Sequence, residues 1–160
     1  MSTNPSPNPA GTDDRWTQLS RNELIALGKR TVTERLEGLG CSVSPPRSQL
    51  QGRLQVTTPS GRNLEVFVST QRVGGYVFWT KRRFQPESDR FAAIVLLAGE
   101  EPAVYLVPST EWLSAAPPLV DRPNVGKRSE PEYGISIARS SLPALERYRW
   151  DDGSNREEFR

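Results

Sequence analysis

Three cations in a row, Lys81-Arg82-Arg83, follow the aromatics Tyr76, Phe78 and Trp79 in the stretch YVFWTKRR. Cations attract phosphate, and aromatic rings offer faces on which bases stack, so this spacing points to nucleic acid. Four more arginines, Arg47, Arg53, Arg62 and Arg72, stand in or beside the same region. The competing assignment is an ordinary solvated strand end, with Tyr76 and Phe78 sharing a face in the core. Other chemistries are excluded by what the chain lacks. It has no histidine, which rules out a Ser-His or Cys-His hydrolase and any His metal ligand. Its one cysteine, Cys41, permits no intramolecular disulfide and argues against a zinc site. No phosphate loop or dinucleotide fingerprint is present.

These residues sit on a segment that reads as three consecutive strands, from Gly52 to Arg83. Leu54–Thr58 alternates, Pro59-Ser60-Gly61-Arg62 turns, and Asn63–Thr70 alternates again. Gly74-Gly75 turns into an aromatic third strand, Tyr76–Trp79. Along the middle strand Leu64, Val66 and Val68 face one way, and Glu65, Phe67 and Ser69 the other. Before it, Ser20-Arg21-Asn22-Glu23 is a capping box that starts a helix over Arg21–Leu39, stopped by Gly40. Ile25, Gly28, Val32, Leu36 and Leu39 share a face of that helix, and Gly28 allows close approach to a neighbour. Cys41-Ser42-Val43 is a short strand, and Arg47–Arg53 a polar loop.

After it, Phe91–Ala98 is a continuous apolar run, expected as a central strand buried on both faces. Ala103–Pro108 is its hairpin partner, and Ser109–Leu113 a short helix. Pro117–Glu130 reads as a loop, Tyr133–Ile137 as an edge strand, and Ser141 opens a last short helix. The 160 residues, at +2 net charge and 35% apolar content, suit one α/β domain over residues 15–150. Residues 1–14 are expected to be a disordered tail and 151–160 a charged tail. No apolar run approaches the roughly 20 residues of a membrane span and no signal peptide is visible, so a cytoplasmic location is expected.

The segments GKRTVTERL (28–36), LGCSV (39–43) and VFVST (66–70) together resemble PD-(D/E)XK nuclease-like proteins. The restriction-endonuclease-like and Holliday-junction-resolvase branches are the most similar, and the pattern covers roughly residues 20–150. The resemblance implies a restriction-endonuclease-like core: a mixed sheet of about five strands, a long N-terminal helix and short C-terminal helices. In that family a hairpin carries an Asp, then an acid-x-Lys motif on the next strand. Here the Asp would fall near Arg53 or Leu54, the motif acid falls on Phe67 and the motif lysine on Ser69. Only Glu34, the helix acid, has a clear counterpart.

Those departures set the functional expectation. Clustered carboxylates hold Mg²⁺, which activates water and stabilises the developing phosphate charge. A Phe offers no oxygen to the ion, and an Arg repels it. The resemblance with these losses implies a degenerate domain without catalytic residues, metal or cofactor. It would bind nucleic acid, DNA above all, through Arg47, Arg53, Arg62, Arg72, Lys81, Arg82 and Arg83. Two alternatives stay open. One is a protein-interaction or regulatory module with Phe67 in the core or an interface. The other is a Mg-dependent nuclease with a relocated site of Glu34, Glu65 and Lys81. Clustering of the cations on one face favours nucleic acid, and dispersal favours a protein partner. The resolvase branch often dimerises, which raises a homodimer by resemblance alone.

Overall fold

The computed structural model describes residues 14–44, 52–72, 74–150 and 157–160. Residues 1–13 of the expected N-terminal tail, Arg47 with residues 48–51 of its polar loop, and residues 151–156 lie outside the described residues.

A short helix α1 (Asp14–Thr17) precedes the long helix α2 (Arg21–Gly38). The capping box forms: the Ser20 hydroxyl accepts from Glu23 N at 3.2 Å, and the Glu23 carboxylate accepts from Ser20 N at 3.3 Å. Eight strands follow: β1 (Ser42–Ser44), β2 (Arg53–Thr57), β3 (Asn63–Arg72), β4 (Tyr76–Thr80), β5 (Arg90–Leu97), β6 (Ala103–Pro108), β7 (Leu119–Arg122) and β8 (Glu132–Ser136). A 3-10 helix, Ser109–Ser114, joins β6 to β7. Helix α3 (Leu142–Leu145) lies near the C-terminus.

Five strands form a mixed sheet in the order β1-β2-β3-β5-β6, and three form a second sheet in the order β4-β8-β7. The mixed five-stranded sheet, long first helix and short late helices agree with the expected class. The second sheet was not expected. The aromatic strand β4 does not pair with β3. Gly74 and Gly75 take φ of 97° and 112°, a left-handed bend that turns the chain off the first sheet. The vacated side of β3 pairs in parallel with β5. That strand can be central because Phe91 through Leu97 are all buried. The expected edge strand at Tyr133–Ile137 is the middle strand of the second sheet, and the expected loop at Pro117–Glu130 contains β7.

The layers are helix, five-stranded sheet and three-stranded sheet, with a core on each side of the first sheet. On one side Val32 and Leu36 of α2 pack on Leu64, Val66 and Val68 of β3 and on Phe91, Ala93 and Val95 of β5. Gly28 lies against Thr70, where a Cβ would collide with the threonine hydroxyl. On the other side Phe67, Ala92, Ile94 and Leu96 meet Val77, Leu119, Trp112 and Ile135. The C-terminal stretch departs from its reading as a tail. Phe159 is fully buried and stacks on Trp150, 5.5 Å between centroids. No described helix is long and apolar enough to cross a membrane.

Candidate nucleic-acid interface

The face of β3 that carries Glu65, Phe67 and Ser69 looks toward the second sheet, not toward α2. Phe67 is 5% exposed and meets Phe84 edge-on at 5.1 Å. Arg53, its partner across the β2–β3 ladder, places its guanidinium 5.6 Å from the Phe67 ring, and Arg90 does so at 5.8 Å. Both arginines then converge on Glu65. Arg53 Nε lies 2.9 Å from Oε2, and Arg90 Nη2 lies 3.5 Å from Oε1. Arg90 also donates to Gln85 O at 2.6 Å. The carboxylate therefore has a guanidinium at each oxygen and an apolar ring beside it.

A divalent ion at Glu65 would have to displace two guanidiniums and then sit among their charges. Among the described residues, no group of three or more His, Cys, Asp and Glu side chains gathers within metal-holding reach. Glu34 is exposed on α2, which packs on the opposite face of β3 from Glu65. The structure thus does not bring Glu34 and Glu65 together. Lys81, the third member of the relocated set, pairs with Asp121 at 2.5 Å and lies 4.6 Å over the Tyr133 ring. Ser69, at the motif lysine position, accepts from Gln71 Nε2 at 3.0 Å. It borders a cleft of about 370 Å³ lined by Arg21, Ile25, Gly52, Thr70 and Gln71 among others.

The hairpin cations divide among several tasks. Arg62 pairs with Asp89 at 3.0 Å and donates to Ser88 O, tying the β2–β3 turn to the start of β5. Arg72 donates to the carbonyls of Trp16 and Leu19, so it holds the α1–α2 junction at the far end of β3. Arg82 is 75% exposed and pairs with Glu130 at 3.2 Å. Arg83 is exposed with no ion-pair partner among the described residues. Arg47 lies outside the described residues, and among the other six candidates Arg72 sits apart, at the other end of the strand.

A different cluster takes shape around Lys81, Arg82 and Arg83. Lys81 N donates to Pro131 O, which continues the β4–β8 ladder beyond its end. The 123–131 connection, which carries Lys127 and Arg128, therefore starts after Arg122 of β7 and ends beside Lys81. Segments 76–83 and 119–136 hold six cations and three acids, a larger positive excess than the +2 of the whole chain. Sequence reasoning missed Arg122 because Leu119–Arg122, two apolar then two charged residues, shows no alternation inside a Pro-containing stretch.

The aromatics separate by strand parity. Val77 and Trp79 turn inward, and Tyr76, Phe78 and Thr80 face out. Phe78 stacks on Tyr76, and Arg122 lies 4.2 Å from the Tyr76 ring. The Tyr76 ring crosses β8 over Gly134, where any Cβ would collide with it. Burial, followed by the Glu132 carboxylate beside the hydroxyl, pushes the Tyr76 phenol up to about 12.

No protein-family model matches the chain, and no curated protein matches it. Among solved structures it is similar to Hjc, a Holliday junction resolvase from the archaeal hyperthermophile Archaeoglobus fulgidus. The TM-score is 0.41 and the identity 14%, over 74% of this chain and 87% of that one.

Proposed function

We propose that this chain is a nuclease-like domain that performs no hydrolysis, needs no metal or cofactor, and binds nucleic acid, DNA in the first instance. The loss of hydrolysis is supported by Phe67, which stands where the family pattern calls for a metal-bound acid, and by Glu65, the relocated candidate, whose oxygens are both held by guanidiniums. Binding rests on one observation: Lys81, Arg82 and Arg83 leave β4 at the end of the second sheet where Arg122 closes β7 and where the connection carrying Lys127 and Arg128 starts and ends. Cations so placed release counterions from phosphates when they bind, which makes affinity steeply salt-dependent. The ion pairs at Lys81 and Arg82 are exposed or partly exposed and exchange readily for phosphate.

A protein-interaction module is the second reading. One observation favours it: four of the hairpin cations, Arg53, Arg62, Lys81 and Arg82, already hold carboxylates. The two readings separate in a salt titration with labelled DNA. Nucleic-acid binding gives an affinity that falls by orders of magnitude between about 50 and 200 mM salt. The double change Lys81→Ala with Arg82→Ala then flattens the salt slope by about one to two. An unchanged slope in that variant overturns the proposed binding face.

A further inference from the structure

From the solvent-facing side of the second sheet, and resting on the nucleic-acid reading above, we infer that this side is a stacking platform for single-stranded nucleic acid. Phe78 is 55% exposed in the middle of a strand, which is costly for a large apolar ring unless something covers it. It is not isolated. Its ring lies 5.9 Å from that of Tyr76, with 17° between the planes, so the two form one aromatic step. Arg122 covers Tyr76, and Lys81, Arg82 and Arg83 leave the same strand at its end.

The chemistry of this face selects its occupant. Bases of a single strand are free to stack on open rings, whereas duplex bases have their faces already covered. A backbone running along β4 would meet Arg82 and Arg83 beyond the strand end while a base covers Phe78; Lys81 turns instead to the Trp79 face, over Tyr133. Beside the rings, the Tyr76 hydroxyl lies against the Glu132 carboxylate, and both groups are buried. Thr80 and Glu132 are direct partners across the β4–β8 ladder, and Arg122 is the partner of Glu132 across β7–β8. Glu132 is only 8% exposed, and Asn124 reaches its Oε1 at 3.4 Å. That buried group fixes the Tyr76 ring from behind, and the open surface left to a base is the ring pair itself.

The experiment is a fluorescence-polarisation titration of the full chain with a labelled 20-nucleotide single strand and with the same sequence as duplex. Phe78→Ala and Arg122→Ala are measured beside the parent, with thermal melts to confirm that each variant folds. The expected result is a single strand preferred over duplex, and weakened about tenfold or more by Phe78→Ala at unchanged melting. Duplex binding should change far less. If both variants bind the single strand as the parent does, the platform is overturned while nucleic-acid binding elsewhere stands. If neither oligonucleotide binds, the functional reading itself falls, and the platform with it. Phe78-dependent capture of a protein without oligonucleotide binding overturns the platform in favour of a protein-docking face.

Discussion

At the scale of single residues, the chemistry turns on what surrounds each charge. Glu65 alone is an acid on the motif strand, but between Arg53 and Arg90 it is the centre of an internal ion network. Sequence could place Phe67 and Ser69 where the resemblance expects an acid and a lysine. It could not show Arg90, which comes from a strand 25 residues later through a parallel pairing. Tyr76 makes a residue-scale prediction with a definite sign. Its phenol is pushed up to about 12, mainly by burial, so the fold favours the protonated form. That contribution to stability is complete below the unfolded pKa of about 10 and is lost as pH rises through 12. Denaturant unfolding between pH 9 and 12 should therefore show stability falling with pH. Tyr76→Phe should lose less over that window. Some slope should remain, because burial also raises the phenols of Tyr105 and Tyr148. An identical pH profile in the variant would show that Tyr76 is not held in this environment.

Elements were legible where local signals and tertiary context agreed. The capping box placed α2, alternation placed β2 and β3, and the apolar run placed β5. The partner of β4 was illegible, because hydrogen-bonding between strands is not encoded in the period of either one. The meander expected from three successive strands failed at Gly74-Gly75, where a turn signal fits both a hairpin and an exit from the sheet. Gly28 gives the clearest test at this scale. Alanine is the better helix former by about 1 kcal/mol. Its Cβ would nevertheless strike the Thr70 hydroxyl where α2 crosses β3. Gly28→Ala should therefore destabilise by about 1–3 kcal/mol in denaturant unfolding, through displacement of the helix. Adding Thr70→Ala should recover part of the loss. A stabilised Gly28→Ala would contradict the close crossing.

For the whole molecule, the layer order explains how the candidate site was divided. The first sheet separates Glu34, on the helix side, from Glu65, on the side of the second sheet. The second sheet in turn packs Trp79, half-buried, against the core and leaves Phe78 open, which splits one run of aromatics between the two faces. Neither separation follows from the sequence, since each depends on which layer covers a given strand face. Phe159 teaches the same lesson at the C-terminus. Surrounded in sequence by charges, it looked like part of a tail, but its ring completes the core between Phe91 and Trp150.

The most direct test of a binder without hydrolysis is one native gel. Labelled duplex, branched and single-stranded DNA would be incubated with the full chain and Mn²⁺ at low salt. The expected result is a shifted band, strongest for the single strand, with every DNA recovered at full length after the protein is removed. Shortened products that disappear in a Glu65→Ala control would contradict it, because the arginine-bound carboxylate would then be holding a metal after all.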